Sequence, residues 1–362
     1  MPNGWRLRRI RAWGLIGLIR ILTGLTVLAP MAVAQDTDAP ILRVYTDLVQ
    51  IPTLVLDSDR QPIPNVAQRS FVVRIDGGPP FHVTHVRMEG DDPIALSVLL
   101  DLHSMPADEV RSFPEALAQL APNSLHAVDA VSVYALDCEL VRATSKEPTT
   151  PAVLEKSATV ALAMLSEREK ADRKESCRTR WNLRDAIVAM TRDLAQQPAR
   201  RVILLITDGS DAGSKSTSEL TGEFAEMSGV AIFALVPPGR GVPIQNSRSG
   251  AVVAWRPSDA VKDLAAVCEM SGGIILDDPS GTLNRQLRNF VSLVRGRYIL
   301  DFPRPAASAG MHRLEVSIDK MSAFIRPAGA SFPLADPELQ KDPNAVVPDP
   351  RQAPQVGKRQ NR

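Results

Sequence analysis

Two aspartates in this sequence come directly after apolar stretches. Asp101 lies in "LSVLLDLHSM", where His103 and Ser104 follow it closely, and Asp208 lies in "RVILLITDGSD". Polar residues at the carboxyl ends of buried strands are usually placed in a functional crevice. These residue types allow three interpretations: a metal site, a catalytic Asp-His-Ser cluster, or the remnant of a metal site.

The catalytic interpretation is the weakest of the three. Neighbouring side chains at a strand end point in alternating directions, so His103 and Ser104 cannot easily face each other. A nucleophile and its base normally come from separate elements that converge in space. The sequence also contains no G-x-S-x-G elbow and no G-x-x-x-x-G-K-[ST] phosphate loop. We therefore expect that the protein is not an enzyme.

Two kinds of stretch alternate from residue 93 to residue 300. Apolar runs at 94–100, 130–136, 201–207, 229–236 and 272–277 predict strands, and amphipathic stretches around them predict helices. Continuous apolar strands separated by helices indicate a parallel sheet that is covered on both faces. We therefore predict a doubly wound, mostly parallel α/β domain over 93–300, with its crevice beyond the carboxyl ends of the strands.

The regions on either side of this alternation have β character. Short β-branched stretches and turn sequences such as "DSDRQPIPN" and "DGGPP" predict antiparallel strands over 41–90, in a small β-sandwich-like module. Further strands are predicted over 301–333, packed on that module. Residues 334–362 are rich in proline and poor in large apolar side chains, so we expect a disordered tail there.

The first 34 residues have the pattern of a signal peptide. A basic start precedes an apolar run and the small residues "AVA", which predict cleavage after Ala34 and export; an uncleaved anchor is the alternative. After cleavage we expect no membrane span and a periplasmic or extracellular location. The formal net charge of +1 includes five leader arginines and no leader acid, so the remainder carries −4. With this charge balance, we expect no nucleic-acid partner.

Several of these stretches together resemble a known family. "IALSVLLDLHSM", "RVILLITDGSD", "GVAIFALV" and "LAAVCEMSGGIILD" are similar to the strands and turns of a von Willebrand factor type A (VWA) domain. "SFVVRIDGG" before them and "VRGRYILDF" after them resemble the flanking segments of an exported bacterial group, the VWFA-related proteins. The resemblance covers residues 41–332 and implies a Rossmann-like VWA fold.

The resemblance also implies a metal-ion-dependent adhesion site (MIDAS), in which hydroxyl and carboxylate oxygens hold Mg²⁺ and an acidic partner completes its shell. Mg²⁺ requires six oxygens in octahedral geometry. Asp101 and Asp208 match the carboxylates of the family pattern, whereas His103 and Met105 stand where the pattern has serines. Trp181 stands at the threonine position. The site is therefore expected to be degenerate.

Two hydroxyls lie close enough in sequence to replace the missing ones. Ser104 can take a serine position if one residue is deleted, and Thr179 is two residues from the threonine position. The implied set has four metal ligands and five residues on the binding rim: Asp101, Ser104, Thr179 and Asp208, and then His103, Met105, Trp181, Ser210 and Asp211. Residual Mg²⁺ binding, another metal held through the imidazole of His103, and no metal all stay open.

Three cysteines are present, so one must stay unpaired within the chain. Cys268 lies on the apolar face of a predicted helix, where a free cysteine is commonly a small buried apolar residue. The VWA topology would place Cys138 and Cys177 near the same face of the domain, and we expect them to form a disulfide in an oxidising compartment. Two reduced cysteines are the alternative.

The functional expectation follows from export, the VWA resemblance and the missing hydroxyls. We expect an exported protein-binding or adhesion-type module that meets a protein partner with the top face of its VWA domain, meaning the surface at the carboxyl ends of the strands. The alternative is a structural scaffold or assembly factor of the cell envelope, in which this face is inert and the β-module binds. An exposed apolar patch on the top face would favour the first, and an open sheet edge the second.

Overall fold

The computed structural model describes residues 43–44, 48–102, 107–137, 139–170, 182–237, 241–245, 252–276, 282–303, 310–327, 330–332 and 345–346. All of them belong to one unit, Leu42–Arg362. Among the described helices, none is both long and apolar enough to cross a membrane.

The chain before residue 93 forms strands because β-branched stretches alternate with turns. At the turn after "FVVRI", Asp76 and Gly77 take the positive φ angles 51° and 68°, which allow a tight reversal. A short 3₁₀ helix, Gln68–Ser70, lies between the second and third strands. The strands are β1 (Arg43–Val44), β2 (Leu48–Leu56), β3 (Phe71–Ile75), β4 (Phe81–His82) and β5 (His85–Met88).

The middle of the chain contains the predicted alternation of apolar strands and amphipathic helices. Ser258 and Thr282 cap two of the helices by accepting hydrogen bonds from first-turn amides. The elements are β6 (Ile94–Asp101), α1 (Ala107–Ala118), β7 (Ala130–Leu136), β8 (Leu140–Arg142), β9 (Glu147–Pro148), α2 (Pro151–Lys170), α3 (Leu183–Ala195), β10 (Arg200–Ile206), α4 (Ser218–Met227), β11 (Val230–Leu235), β12 (Gly241–Gln245), β13 (Val252–Pro257), α5 (Asp259–Met270), β14 (Ile275–Leu276) and α6 (Leu283–Arg295).

The last part of the chain returns to short strands. They are β15 (Tyr298–Pro303), β16 (Gly310–His312), β17 (Leu314–Ile318), β18 (Phe324–Pro327), β19 (Ala330–Phe332) and β20 (Ala345–Val346). The predicted domain boundary at residue 300 lies inside β15. Most of the tail predicted over 334–362 lies outside the described residues, as do residues 1–34.

The central sheet has the order β14-β11-β10-β6-β7-β8, and β9 also pairs with β7. The pairs from β14 to β7 are parallel, and β8 and β9 run antiparallel to β7. Counted along the chain from β6, and leaving out β9, the order is 3-2-1-4-5-6, so the topological switch point lies between β6 and β10.

Helices cover both faces of this sheet. Residues of α1, α2 and α6 share one apolar core with alternate residues of the strands, such as Leu96 and Val98 of β6. Residues of α3, α4 and α5 share a second core with the other set of alternating strand residues, such as Ala95 and Leu99 of β6. The predicted fold class, a doubly wound and mostly parallel α/β sheet with additional antiparallel strands, is confirmed.

The β-module combines strands from before and after the α/β part. Its two sheets have the orders β18-β2-β15-β5 and β17-β3-β4, and all pairs in them are antiparallel. They enclose a third core that contains Ile51, Phe71 and Phe302. Strand β2 contributes to two cores, because Val55 lies in the module core whereas Leu54 and Leu56 lie in a core of the central sheet.

Two ion pairs, one of them fully buried, lie where the chain passes between the module and the α/β part. Arg297 donates two hydrogen bonds to the carboxylate of Glu89, at 2.6 and 2.8 Å, and their side chains are 2% and 0% exposed. Arg295 binds Asp129 and also donates to the carbonyl oxygens of Gly90 and Asp92. The entry to and the exit from the α/β part are therefore fixed together.

Candidate functional site

Asp101 is the last residue of β6, at the switch point of the sheet. The register pairs Leu100 of β6 with Ile206 of β10, so the residues that follow them, Asp101 and Thr207, are neighbours. The hydroxyl of Thr207 donates to Oδ2 of Asp101 at 2.5 Å, and both residues are almost fully buried. The amide of Gly209 in turn donates to the Thr207 hydroxyl oxygen. This chain of hydrogen bonds fixes the carboxylate at the edge of the sheet.

Asp208 lies at the start of the loop that follows β10. Its Oδ1 accepts a hydrogen bond from the amide of Ser210 at 2.9 Å. Gly209 between them has φ +79°, and a Cβ there would lie 2.9 Å from the carbonyl oxygen of Ala260 in α5. Only glycine fits this close approach. The loop therefore turns directly against α5 and presents Asp208 and Ser210 at the same sheet edge as Asp101.

Asp211 joins the same loop to the start of α3. Its side chain is 3% exposed. Its Oδ2 accepts from the amide of Arg184 at 2.8 Å and from the hydroxyl of Ser214 at 2.6 Å. Its Oδ1 accepts from the Arg184 guanidinium at 3.3 Å and from the amides of Gly213 and Ser214. Arg184 Nε also donates to the carbonyl oxygen of Ser216.

Asp185 makes the reciprocal connection from α3 to the loop. It accepts hydrogen bonds from the amides of Lys215 and Ser216, both at 3.0 Å, and its own amide donates to the Ser214 hydroxyl at 3.1 Å. First-turn amides of α3 are thus capped by the loop after β10. The side chain of Asn182, the N-cap residue of α3, makes no capping bond.

The hydrogen bonds of this network keep both carboxylates ionised. Burial alone would raise the pKa of Asp211, but the hydrogen bonds from Arg184, Ser214 and Gly213 outweigh it and hold the pKa below its ordinary value. The pKa of Asp185 is lowered in the same way: burial opposes the shift, and hydrogen bonds from Lys215 and Ser216 prevail. The loop is therefore held by charge-assisted hydrogen bonds at neutral pH.

The described residues fit a hard cation in donor type. Asp101 and Asp208 supply carboxylate oxygens at one sheet edge, and Oδ1 of Asn182 is buried without a hydrogen-bond partner at the start of α3. Oxygen donors of this kind suit Mg²⁺ better than softer metals. Within the described ranges, no three His, Cys, Asp or Glu side chains form a group that could hold a metal ion.

Several predicted site residues lie outside the described residues. The predicted metal ligands among them are Ser104 and Thr179, the predicted rim residues are His103, Met105 and Trp181, and the predicted disulfide joins Cys138 and Cys177. Ser210 and Asp211 of the predicted rim are described, and the structure places both in the loop after β10. Asp211 is turned into the loop, where it binds α3.

Cys268 is the cysteine that the described part of the chain contains. It lies on the core-facing side of α5, is fully buried, and is a free cysteine among the described residues. Burial raises the pKa of its thiol far above the ordinary value, so the reactive thiolate is suppressed. The prediction that Cys268 is buried is confirmed.

Sequence reasoning missed Thr207, Arg184, Asp185 and Ser214. The signal for Thr207 was available, since the residue before Asp208 must align with Asp101 when β6 and β10 are adjacent and parallel. The other three depend on how the loop meets α3. The hydrogen bonds between α3 and the loop join residues 27 to 32 positions apart in the chain, and no local pattern marks such a pairing.

No protein-family model matches this chain, and no curated protein matches it. Solved structures similar to it include the conserved hypothetical protein BatB from Bacteroides thetaiotaomicron, with a TM-score of 0.36 and 15% identity over 56% of this chain and 98% of that one. Proximal thread matrix protein 1 from the mussel byssus has a TM-score of 0.39 and 12% identity, over 58% and 50%.

A further structure of the mussel protein has a zinc-occupied MIDAS motif, with a TM-score of 0.38 and 12% identity over 58% of this chain and 50% of that one. Such low values say nothing about the function of this chain. The fold class of this chain, a doubly wound and mostly parallel α/β sheet, follows from its own sheet order, switch point and two helix layers.

Proposed function

We propose that this protein is an exported, non-enzymatic binding module whose VWA-like domain meets a protein partner with its top face. The observation that carries the proposal is the loop after β10, which is held at the switch point by the Asp211–Arg184 and Asp185–Ser216 hydrogen bonds. A rigid loop at this position is a preorganised contact surface, and preorganisation lowers the entropic cost of binding.

The surface of this loop is mixed in character. Lys215 and Thr217 are exposed, and Leu220, in the first turn of α4 directly after the loop, is 58% exposed. An exposed apolar side chain beside polar groups is the usual composition of a protein contact. A binding face is expected to expose apolar side chains, and Leu220 is such a side chain among the described residues of this surface.

We further propose that the chain belongs to the exported VWFA-related group and that its MIDAS is degenerate. The support comes from the sequence, where His103, Met105 and Trp181 replace hydroxyl residues, and from the loop itself. The amide and the guanidinium of Arg184 both bind Asp211, so hydrogen bonds from α3 order the loop. The Cys138–Cys177 disulfide and a periplasmic or extracellular location belong to the same proposal.

The decisive experiment titrates the chain from Gln35 onward with MgCl₂ and MnCl₂ by isothermal calorimetry. We expect no binding by the parent. We expect binding after the hydroxyls are restored together, with His103→Ser, Met105→Ser and Trp181→Thr. Micromolar Mg²⁺ binding by the parent, about −8 kcal/mol, would show that the site is intact and would refute the proposed degeneracy.

Partner contact can be tested by photo-crosslinking in the native host. Ser210→p-benzoylphenylalanine places the crosslinker on the top face, and Lys156→p-benzoylphenylalanine places it on exposed α2 as the matched control. We expect one discrete adduct from the first position and none from the second. An adduct from the control alone would locate the contact away from the proposed face.

A second candidate function, a scaffold that binds through its β-module, is favoured by one observation. In the described sheet, β5 is an edge strand paired with β15 alone, and Met88 on it is 40% exposed. Such an edge can accept a strand from another chain. Met88→Lys should then disrupt assembly in the host while Leu220→Ser leaves it intact. The reverse result would support top-face binding.

A further inference from the structure

A cavity of about 310 Å³ lies between the first halves of β6 and β7, the β8–β9 segment and the last half of α3. The cavity is distant from Asp101, which lies at the carboxyl end of β6. Small side chains line it on two neighbouring strands, where Ala95 pairs with Ala130 and Ser97 with Ser132. Because these side chains are short, α3 leaves space above them.

The charged groups around the cavity are mostly basic. Arg142 and the hydroxyl of Tyr134 both donate to Oδ2 of Asp193, each at 3.0 Å, so the charge of Asp193 is already balanced by Arg142. Lys146 and Arg192 also line the cavity. Among the described residues, neither forms an ion pair. The lining therefore has two positive charges without a counter-charge.

The neutral groups of the lining are hydrogen-bonding groups. Ser97, Ser132 and Gln197 supply hydroxyl and amide groups beside the cations. Burial and the hydrogen bond to Asp193 raise the pKa of Tyr134 to about 12, so its phenol stays neutral and adds no negative charge to the cavity. A ligand that matches this surface has an anionic group that binds the two basic side chains and hydroxyl groups that bind the neutral polar side chains.

We infer that this cavity binds a monosaccharide-sized organic anion, a sugar acid or a sugar phosphate. The volume of about 310 Å³ is at the lower end of the range of about 300–1,000 Å³ for small-molecule sites, and it suits a ligand of this size. Lysine and arginine bind carboxylate and phosphate groups through charge-assisted hydrogen bonds. The inference goes beyond the proposed top-face function, since the two surfaces share no residue.

Calorimetric titration of the chain from Gln35 onward with four probes tests the ligand class. We expect glucuronate or glucose 6-phosphate to bind, and glucose to bind at least about tenfold more weakly, because it lacks the charge. The comparison of the two anions identifies the preferred acid group. Equal binding of glucose, or binding of inorganic phosphate as tight as that of either sugar anion, would overturn the inference, as would no binding of either sugar anion.

Three variants test whether the cavity is the site. Arg192→Gln and Lys146→Gln, both on the exposed rim, should each raise the Kd about tenfold. Arg288→Gln removes an exposed charge from α6 and should leave the Kd unchanged. If all three variants bind like the parent, the anion binds elsewhere and the assignment is wrong. Thermal melting of each variant checks that it is folded.

Discussion

Replacing Glu89 with alanine leaves the guanidinium of Arg297 buried without its counter-charge. The two side chains are 0% and 2% exposed, and two hydrogen bonds at 2.6 and 2.8 Å join them. Removing one partner of such a pair typically costs about 3–5 kcal/mol, because the remaining charge cannot reach water. We therefore expect Glu89→Ala to lower the free energy of unfolding by about that amount.

The expected change in thermal midpoint follows from this magnitude. A domain of this size loses roughly 2–4 °C per kcal/mol, so the Tm should fall by about 6–20 °C. Circular dichroism with thermal and urea unfolding measures both quantities. The double variant Glu89→Leu, Arg297→Met removes both charges and should be more stable than Glu89→Ala, since no unpaired charge remains.

A more exposed ion pair provides the control. Glu269 binds Arg326 at 2.7 Å, but their side chains are 39% and 27% exposed. Glu269→Ala should cost no more than about 1 kcal/mol, as expected of a partly solvated pair. If Glu89→Ala costs as little as Glu269→Ala, the reasoning that burial decides the energetic role of these pairs is refuted.

Three further outcomes are expected. Thr207→Val removes the hydrogen bond to buried Asp101 and should lower the free energy of unfolding by about 1.5–3 kcal/mol, whereas Thr207→Ser should lower it less. Equal losses for the two variants in urea unfolding would exclude the hydroxyl as the cause. Because the pKa of Asp211 is lowered by folding, this carboxylate stabilises the protein above its unfolded pKa of about 3.9, and that stability is lost as the pH falls through the folded pKa. Asp211→Asn should therefore be less stable than the parent at pH 7. Below about pH 5, the free energy of unfolding of the variant should fall less with pH than that of the parent. The thiol of Cys268 should resist iodoacetamide in the folded protein and react after unfolding, as peptide mapping will show; labelling without unfolding would contradict its burial.

The sequence predicted the helices and the parallel strands of the α/β part closely, but not the short strands β8, β9, β12 and β13. The stretch "NLRDAIVAMTRDLAQ" contains α3, Leu183–Ala195, and "IALSVLL" lies within β6, Ile94–Asp101. Periodicity works here because each strand is buried on both faces and each helix on one, so side-chain polarity reports the environment directly. The placement of Asp101 and Asp208 at one sheet edge followed from the same alternation.

Contacts between distant parts of the chain could not be predicted in this way. Glu89 and Arg297 are 208 residues apart, and each alone has the pattern of a surface charge. The double role of β2 was also hidden, because an apolar strand that serves two cores has the same composition as one buried in a single core. Such features depend on which surfaces meet, and local sequence does not encode that.

The two connections of the α/β part have a mechanical consequence. The amide of Glu89 donates to the carbonyl oxygen of Arg297 at 2.8 Å, and the amide of Gly90 donates to that of Arg295 at 3.0 Å, so the chain enters and leaves the α/β part at adjacent points. Tension applied to the chain before β2 and after β18 therefore acts first on these two strands, which pair with each other. The α/β part does not carry this force while those strands stay paired, so its top face keeps its shape until they separate.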